Sequence, residues 1–318
     1  EAMASGLAIA RKAEAAITLG RETVLKQFAG SITTFQIAEA ARAGDAVAIE
    51  VLNEAAFYLG IGLSNFITLM DPQAIVLGGG VGKGVVVAAA EGAGRERSIG
   101  VSIRLPFEEA PSNVIAGDHK VVAMKYFFTR KLMLIKESSA FVCLPGGFGT
   151  QDETFELFTL LQTGKASPAP VVLLDVPGGT YWERWQTFMD AELVAAGLVS
   201  PEDHDLFLIT DDVHEAVSEI QRFWRSYHSI RWTGDRLIIR LRHEPLDEEL
   251  AQLNARFADL LLGGQIERTG PLPPEVSDRD ELELPRLVMR FDPRKAGRLR
   301  ALIDALNLLP SAAGTDPR

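Results

Sequence analysis

Short apolar segments alternate with amphipathic segments through the centre of this chain, and this alternation constrains the fold more than any other feature. An apolar segment followed by a stretch with helical apolar spacing is typical of a strand in a parallel sheet whose two faces are covered by helices. We therefore predict an α/β fold with a doubly wound parallel sheet over residues 72–228. The apolar segments lie at 74–77, 100–105, 140–144, 171–175 and 206–210, and the helical patterns lie near residues 84–94, 119–137, 150–163, 180–196 and 212–228.

The segments on either side of this core differ from it in composition. The N-terminal segment is rich in alanine and predicts helices, and Thr33 with Gln36 fits a capping box at a helix start. After residue 228, charged and apolar residues alternate around Gly234 and predict a strand or hairpin, followed by a helix, a strand and a helix at 246–262, 286–291 and 293–306. The predicted parts are a helical segment (1–71), the core (72–228) and a small C-terminal α/β appendage (229–318).

The amino-acid composition restricts the kinds of partner that this chain is expected to bind. The chain has 318 residues, of which 47% are hydrophobic and 24% charged, and its formal net charge is −11. A negative chain repels polyphosphate, so neither a nucleic-acid surface nor an anionic-membrane surface is expected, although a local pocket for one phosphate remains compatible. The sequence contains no apolar stretch of the roughly 18 residues that a membrane span requires and no signal-peptide pattern, so the expected compartment is the cytoplasm.

Candidate metal ligands and nucleophiles are few. Cys143 is the single cysteine, which excludes an intrachain disulfide and a thiolate metal cluster. It lies in an apolar segment, where we expect a packed thiol rather than a nucleophile. The histidines show no ligand spacing, so neither a metal nor another cofactor is expected.

Two glycine-rich loops follow predicted strands. In the first, residues 78–84, Leu77 stands where a Walker phosphate loop has its first glycine, and Gly84 replaces the serine or threonine that would hold magnesium. A tight strand-to-helix turn is an equally good interpretation, although Gly82 and Lys83 remain candidates for phosphate contact.

The second loop, residues 145–150, follows the strand at 140–144 directly and opens an amphipathic helix. Its glycines allow close approach of a ligand, and the helix start offers free N–H groups with a partial positive charge. We therefore predict phosphate binding here, with Thr150 either capping the helix or donating its hydroxyl. The predicted phosphate-binding residues of this loop are Gly146, Gly147, Gly149 and Thr150.

Charged residues flank the second loop. Glu153 lies three residues after Thr150, which fits a capping box, but it also lies close to the predicted anion site. Arg130 and Lys131 lie on the preceding predicted helix. They are either a solvated helix edge or cations that serve the ligand and the carboxylate.

Residues 88–310 resemble the LOG family, formerly described as lysine-decarboxylase-like. The resemblance rests on Arg130-Lys131, on Pro145-Gly146-Gly147-Phe148-Gly149-Thr150 and on Glu153, with support from residues 98–100, 105–108 and 125–128. It implies a Rossmann-like nucleotide-binding domain and a homodimer. It also implies an N-glycosidase that cleaves a nucleoside 5′-monophosphate into free base and ribose 5-phosphate, without decarboxylase chemistry or pyridoxal phosphate.

This resemblance suggests roles for the charged pair. Cleavage of a ribosyl–base bond passes through an oxocarbenium-like state, which a carboxylate near the anomeric carbon stabilises. We assign that role to Glu153. We assign Arg130 to the phosphate or the ribose, where it would fix the pose of the substrate.

Residues 1–80 instead resemble the C-terminal part of ROK sugar kinases, through residues 1–6, 40–45 and 71–80. The kinase machinery of that family would precede Glu1, so kinase activity is not expected. The two resemblances meet at residues 78–88, where Val86 and Val87 stand in place of a methionine and a glutamate that are usual in the LOG family. The alternatives to hydrolysis are a nucleotide-binding or sensing protein without turnover, and a ROK-derived carbohydrate-binding remnant.

Overall fold

The structure is a computed structural model, and it describes residues 6–54, 75–77, 98–103 and 121–313. The N-terminal range is helical, as predicted, with α1 (Gly6–Thr18), a 3-10 turn (Val24–Phe28), α2 (Thr34–Arg42) and further helical residues at 46–54. The Thr33–Gln36 capping box is confirmed in both of its hydrogen bonds. Apolar side chains from all of these elements form one cluster that includes Ile9, Leu25, Ile37 and Val47.

A first parallel sheet consists of β1 (Ile75–Leu77), β2 (Ser98–Ile103) and β3 (Val121–Met124), in that order. The strands predicted at 74–77 and 100–105 are confirmed over their described residues, and the helix predicted at 84–94 lies outside them. The helix predicted at 119–137 is wrong at its start, where β3 lies instead. A short apolar run with β-branched residues pairs well in a sheet, and periodicity alone does not separate it from a buried helix. The helix there is α3 (Phe127–Lys136).

A second parallel sheet consists of β4 (Phe141–Cys143), β5 (Val171–Leu174) and β6 (Leu208–Thr210), in that order. The predicted parallel pairing of the segments at 140–144 and 171–175 is confirmed. The connecting helices are α4 (Phe148–Gln162), α5 (Tyr181–Phe188) and α6 (Val213–Phe223).

Helices cover both faces of this second sheet. On one face, Val171 and Leu173 of β5 pack with Leu157 of α4 and Trp182 of α5. On the other face, Val172 and Leu174 pack with Ala216 and Ile220 of α6. The central strand β5 is therefore buried along its whole length, which explains why it reads as a continuous apolar run.

The appendage contains an antiparallel sheet in the order β7 (Tyr227–Thr233), β8 (Arg236–Leu241), β10 (Arg286–Met289) and β9 (Glu267–Thr269). The predicted hairpin is confirmed, with Gly234 at φ +61° in its turn. The helices α7 (Asp247–Phe257), α8 (Pro273–Asp278) and α9 (Ala296–Asn307) complete this part of the chain.

Helix α9 packs closely on the turn at Pro201–Leu206. A side chain at Gly297 would overlap the backbone carbonyl of Glu202, so only glycine allows this approach. The same turn is bonded to the end of α4, because Gln162 Nε2 donates to Asp203 at 2.5 Å. None of the helices in the described residues combines the length and the apolarity that crossing a lipid bilayer requires.

Candidate functional site

The second glycine loop joins the carboxyl end of β4 to the start of α4. Gly147 is the N-cap residue of α4, and the first intrahelical hydrogen bond runs from the Gln151 N–H to the Gly147 carbonyl at 3.1 Å. The N–H groups of residues 148–150 precede that bond and have no acceptor within the helix. The helix dipole adds a partial positive charge at this end. The loop therefore has the geometry of an anion-binding helix start.

Thr150 is not the N-cap, because α4 begins two residues earlier, at Phe148. The capping-box interpretation of Thr150 with Glu153 is therefore wrong. With Gly147 as the N-cap, the helix begins directly after the two consecutive glycines, and Glu153 falls in the second turn. The Glu153 carboxylate is then available for a partner other than the helix start.

The loop is held in place by close packing and by Tyr181. A side chain at Gly146 would overlap the Thr150 hydroxyl, so this position has room only for glycine. The Tyr181 hydroxyl donates to the Gly146 carbonyl at 2.7 Å and accepts from the Gln151 amide. At Gly147 and Gly149, by contrast, an added Cβ would meet nothing within 4 Å. The loop is thus closely packed at Gly146 and open at Gly147 and Gly149, which suits the approach of a ligand.

Arg130 and Glu153 form an ion pair between α3 and α4. The Arg130 residue is only 7% exposed, and its Nε donates to the Val101 carbonyl of β2 at 3.2 Å. The Glu153 side chain keeps 21% of its surface exposed. Burial lowers the pKa of the Arg130 guanidinium and the charge of Asp152 opposes this shift, but an arginine side chain remains protonated in proteins. The pair presents a fixed, partly accessible carboxylate one turn beyond the glycine loop.

The Lys131 ammonium group forms ion pairs with carboxylates of α4. Its Nζ lies 3.1 Å from Asp152 and 2.5 Å from Glu156, both on α4. The hydrogen bond that Lys131 donates to Glu156 is the main cause of the raised pKa of Lys131. These ion pairs brace α3 against α4 and compete with the predicted contact to phosphate.

Two residues that the sequence motifs did not single out, Asp175 and Tyr181, organise this edge of the sheet. Asp175 follows β5 and is buried; it accepts hydrogen bonds from the N–H groups of Tyr181 at 2.7 Å and Trp182 at 3.2 Å. It therefore fixes the start of α5 and brings Tyr181 to the glycine loop. An aspartate directly after an apolar strand was the available signal, but the N–H groups that donate to it lie six and seven residues further along the chain.

Cys143 is half-buried, and the loss of hydration raises the pKa of its thiol to about 11, in keeping with a packed thiol. Gly82 and Lys83 lie outside the described residues. No group of histidine, cysteine, aspartate and glutamate side chains within the described ranges has the arrangement of a metal site.

The first turns of α3 carry an exposed apolar surface, which we call the α3 surface: Tyr126, Phe127, Phe128 and Leu132. The rings of Tyr126 and Phe128 stack with centroids 5.7 Å apart. Phe148, in the glycine loop, is 96% exposed. Exposed aromatic residues in such a group are typical of an interaction surface.

Two family models match this chain. The model described as "Possible lysine decarboxylase" matches residues 83–220, which include the whole of the glycine loop and both members of the ion pair. The ROK family model matches residues 1–89. The matches overlap at residues 83–89, and residues 83–88 of this overlap lie within the predicted join at 78–88.

Curated relatives match the same region. A cytokinin riboside 5′-monophosphate phosphoribohydrolase of Arabidopsis thaliana is 28% identical over 163 residues, 51% of this chain and 73% of the relative. A probable enzyme of the same name from Arabidopsis thaliana is 30% identical over 146 residues, 46% of this chain and 70% of the relative. A probable one from Oryza sativa subsp. japonica is 33% identical over 94 residues, 30% of this chain and 43% of the relative.

Proposed function

The chain belongs to the LOG family, and from this premise we propose that it hydrolyses the N-glycosidic bond of a nucleoside 5′-monophosphate, releasing the free base and ribose 5-phosphate. The observation that carries the proposal is the Arg130–Glu153 ion pair one turn beyond an open helix start. The names of the curated relatives support the class of substrate.

In the proposed reaction, water attacks the anomeric carbon while the bond to the base nitrogen breaks. The base leaves with the bonding electron pair and gains a proton, and the water oxygen loses one. Positive charge develops on the ribose, and the Glu153 carboxylate stabilises it and orients the attacking water. Because Arg130 is bonded to both Val101 and Glu153, its first role is to fix that carboxylate. Its remaining N–H groups are those that would contact the ribose or phosphate.

The 5′-phosphate would bind at the start of α4. The free N–H groups of residues 148–150 point toward that position, and Gly147 and Gly149 leave it open. The Thr150 hydroxyl packs against Gly146 and would turn toward a phosphate oxygen. Lys131, Gly82 and Lys83 are further candidates for phosphate contact. Anchoring the phosphate fixes the anomeric carbon against Glu153 and so lowers the entropic part of the barrier.

We extend the proposal to the whole chain. The two parallel sheets would belong to one doubly wound, Rossmann-like domain over residues 72–228, with residues 1–71 and 229–318 as separate parts. The α3 surface supports a homodimer, because a monomer would leave its aromatic side chains in water. The proposed compartment is the cytoplasm.

The proposal is tested by incubating the full chain with the monophosphates of the purine and pyrimidine nucleosides and of a cytokinin riboside. Free base and ribose 5-phosphate are measured by chromatography, and the matching nucleosides without phosphate serve as controls. We expect turnover of at least one monophosphate and little turnover of its nucleoside.

One sequence feature favours a second candidate, a nucleotide-binding protein without turnover. Val86 and Val87 replace residues that are usual in the LOG family. That candidate predicts saturable binding of a monophosphate, measured by calorimetry, with no base released over hours.

A further inference from the structure

The side chain of Tyr181 is held in a fixed position beside the glycine loop. Asp175, which is only 3% exposed, accepts hydrogen bonds from the backbone N–H groups of Tyr181 and Trp182. The Tyr181 ring meets the Trp182 ring edge to face, with centroids 4.8 Å apart, and Trp182 is fully buried in the core that covers β5. Both the backbone and the ring of Tyr181 are therefore fixed, and so is the position of its hydroxyl group.

The Tyr181 hydroxyl directs one backbone carbonyl of the loop. It accepts a hydrogen bond from the side-chain amide of Gln151 and donates its own proton to the Gly146 carbonyl, with 2.7 Å between the two oxygens. A phenol hydroxyl has a single proton to donate, and here that proton is used on Gly146. The Gly146 carbonyl therefore points toward Tyr181.

The direction of this carbonyl also sets the direction of the next N–H group. The peptide bonds of the described residues are trans, and in a planar trans peptide the carbonyl and the N–H point in opposite directions. The N–H of Gly147 shares its peptide plane with the Gly146 carbonyl and so points away from Tyr181. Gly147 is exposed and is the N-cap of α4, so its N–H is the first of the four donors at a helix start that have no acceptor within the helix.

Two adjacent glycines make this peptide easy to rotate. Rotating the plane between Gly146 and Gly147 by half a turn exchanges the directions of its carbonyl and its N–H. It also moves Gly147 from its φ of −89° toward positive φ, which glycine adopts about as readily. The carbonyl oxygen would then face the proposed phosphate position and repel the anion. The hydrogen bond from Tyr181 opposes this rotation, because the rotation would break it.

We propose that Tyr181 is a positioning residue for the phosphate of the substrate: its hydroxyl holds the Gly146 carbonyl and so keeps the Gly147 N–H directed at a phosphate oxygen. This inference rests on the proposed function, which puts the 5′-phosphate at the start of α4. The Gly147 N–H then joins the N–H groups of residues 148–150 as a fourth donor. Affinity for the phosphate part of a ligand, and not for its ribose part, depends on the Tyr181 hydroxyl.

The first test follows the Gly147 amide signal by NMR in the full chain labelled with ¹⁵N-glycine. Ribose 5-phosphate should bind saturably and move the Gly147 amide proton downfield, because a hydrogen bond to a phosphate oxygen deshields it. Ribose, which lacks the phosphate, should leave this signal in place. A Gly147 signal that stays unmoved at saturation, or a parent chain that does not bind ribose 5-phosphate, would overturn the inference.

The second test is Tyr181→Phe, which keeps the ring and removes only the hydroxyl. We expect the Kd of ribose 5-phosphate, measured by calorimetry, to rise about tenfold, the typical effect of losing a hydrogen bond to a charged group, and the Gly147 signal to lose its shift. The matched control Tyr227→Phe removes a hydroxyl in the core of the appendage and should change neither. The parent Kd in a folded Tyr181→Phe protein would contradict the positioning role.

Neither test needs turnover, so the two proposals fail in different ways. A chain that binds ribose 5-phosphate through the Gly147 N–H but releases no base from any monophosphate would contradict the proposed hydrolysis and support the role of Tyr181. A chain that releases base equally well with and without the Tyr181 hydroxyl, at the parent Kd, would support the hydrolysis and contradict that role.

Discussion

At the scale of single residues, the charge of Glu153 is the feature whose removal tests the proposed chemistry most directly. Glu153→Gln keeps the shape of the side chain and removes its charge. We expect kcat to fall by about 10²–10³, the typical effect of losing one electrostatic group that acts in the transition state, with little change in nucleotide binding. The rate of base release and the Kd of the nucleotide are measured on the same preparation.

The matched control for this change is Glu156→Gln, on the same helix, which removes a carboxylate that pairs with Lys131. It should keep kcat within about threefold of the parent, because an exposed or half-exposed ion pair contributes little to stability. Equal turnover in the parent and in folded Glu153→Gln would end the catalytic assignment.

Arg130 donates hydrogen bonds to two partners, the Val101 carbonyl and the Glu153 carboxylate. A lysine at this position cannot bond both of them with the same geometry. In Arg130→Lys, either the Val101 carbonyl or the Glu153 carboxylate loses its bond. We expect a loss of about 1–3 kcal/mol in the free energy of unfolding and a fall in kcat of tenfold or more. Denaturant unfolding and initial rates check both, and the exposed Arg184→Lys should change neither.

The Cys143 thiol provides a test that depends on pH. Its pKa is raised to about 11 by burial, above its value in the unfolded chain, so the neutral thiol stabilises the fold at low and neutral pH. That contribution is lost as the pH rises from the unfolded pKa toward 11. At pH 9 we expect iodoacetamide to alkylate the native protein far more slowly than the urea-unfolded protein. Equal rates in both states would show that the thiol is accessible.

At the scale of elements, two glycines of the glycine loop have different roles: Gly146 allows close packing against Thr150, and Gly149 leaves room for the proposed phosphate. Gly146→Ala should lower both the Tm and the affinity for nucleotide, because its Cβ would overlap Thr150. Gly149→Ala should leave the Tm nearly unchanged, since its Cβ meets nothing, but should raise the KM by crowding the phosphate position. Gly270→Ala, in open space in the appendage, should leave both quantities unchanged. A Gly149→Ala protein with the parent KM would place the phosphate elsewhere.

Most strands could be predicted from the sequence because each is a short apolar run bounded by turn residues. The strand Val121–Met124 could not, since its apolar run continues into a helical pattern and only pairing with β2 separates the two. The start of α4 also differs from the prediction: Thr150 is a favourable cap residue, but Gly147 is the N-cap and Thr150 lies in the first turn, where it packs against Gly146.

The candidate site was predicted in part. The proximity of the glycine loop and Glu153 follows from their spacing along one helix. The burial of Arg130, its bond to Val101 and the contact of Tyr181 with the loop join residues 29 and 35 positions apart. Such contacts depend on how the sheet orders its strands, which a single sequence does not specify.

At the scale of the whole molecule, the α3 surface predicts self-association. Phe128→Asp places a charge in the middle of this surface and should convert a dimer into a monomer, because burying an unpaired carboxylate is strongly unfavourable. Leu198→Asp introduces the same charge at an exposed leucine elsewhere and should leave the dimer intact. Sedimentation equilibrium distinguishes these results, and a monomeric parent would contradict the proposed dimer.

The fit of Gly297 against Glu202 has a consequence for biosynthesis. Gly297 follows Glu202 by 95 residues, so at a synthesis rate of about 5–20 residues per second the turn waits roughly 5 to 20 seconds for its partner. For most of that time the ribosome holds a chain in which the strands β4, β5 and β6 have been synthesised but helix α9, which packs on the turn at Pro201–Leu206, has not. The neighbouring Leu206 and the end of α4 are then open to chaperones. A ribosome stalled between these two positions should therefore present a nascent chain that a chaperone for apolar segments holds, and the completed chain should release it.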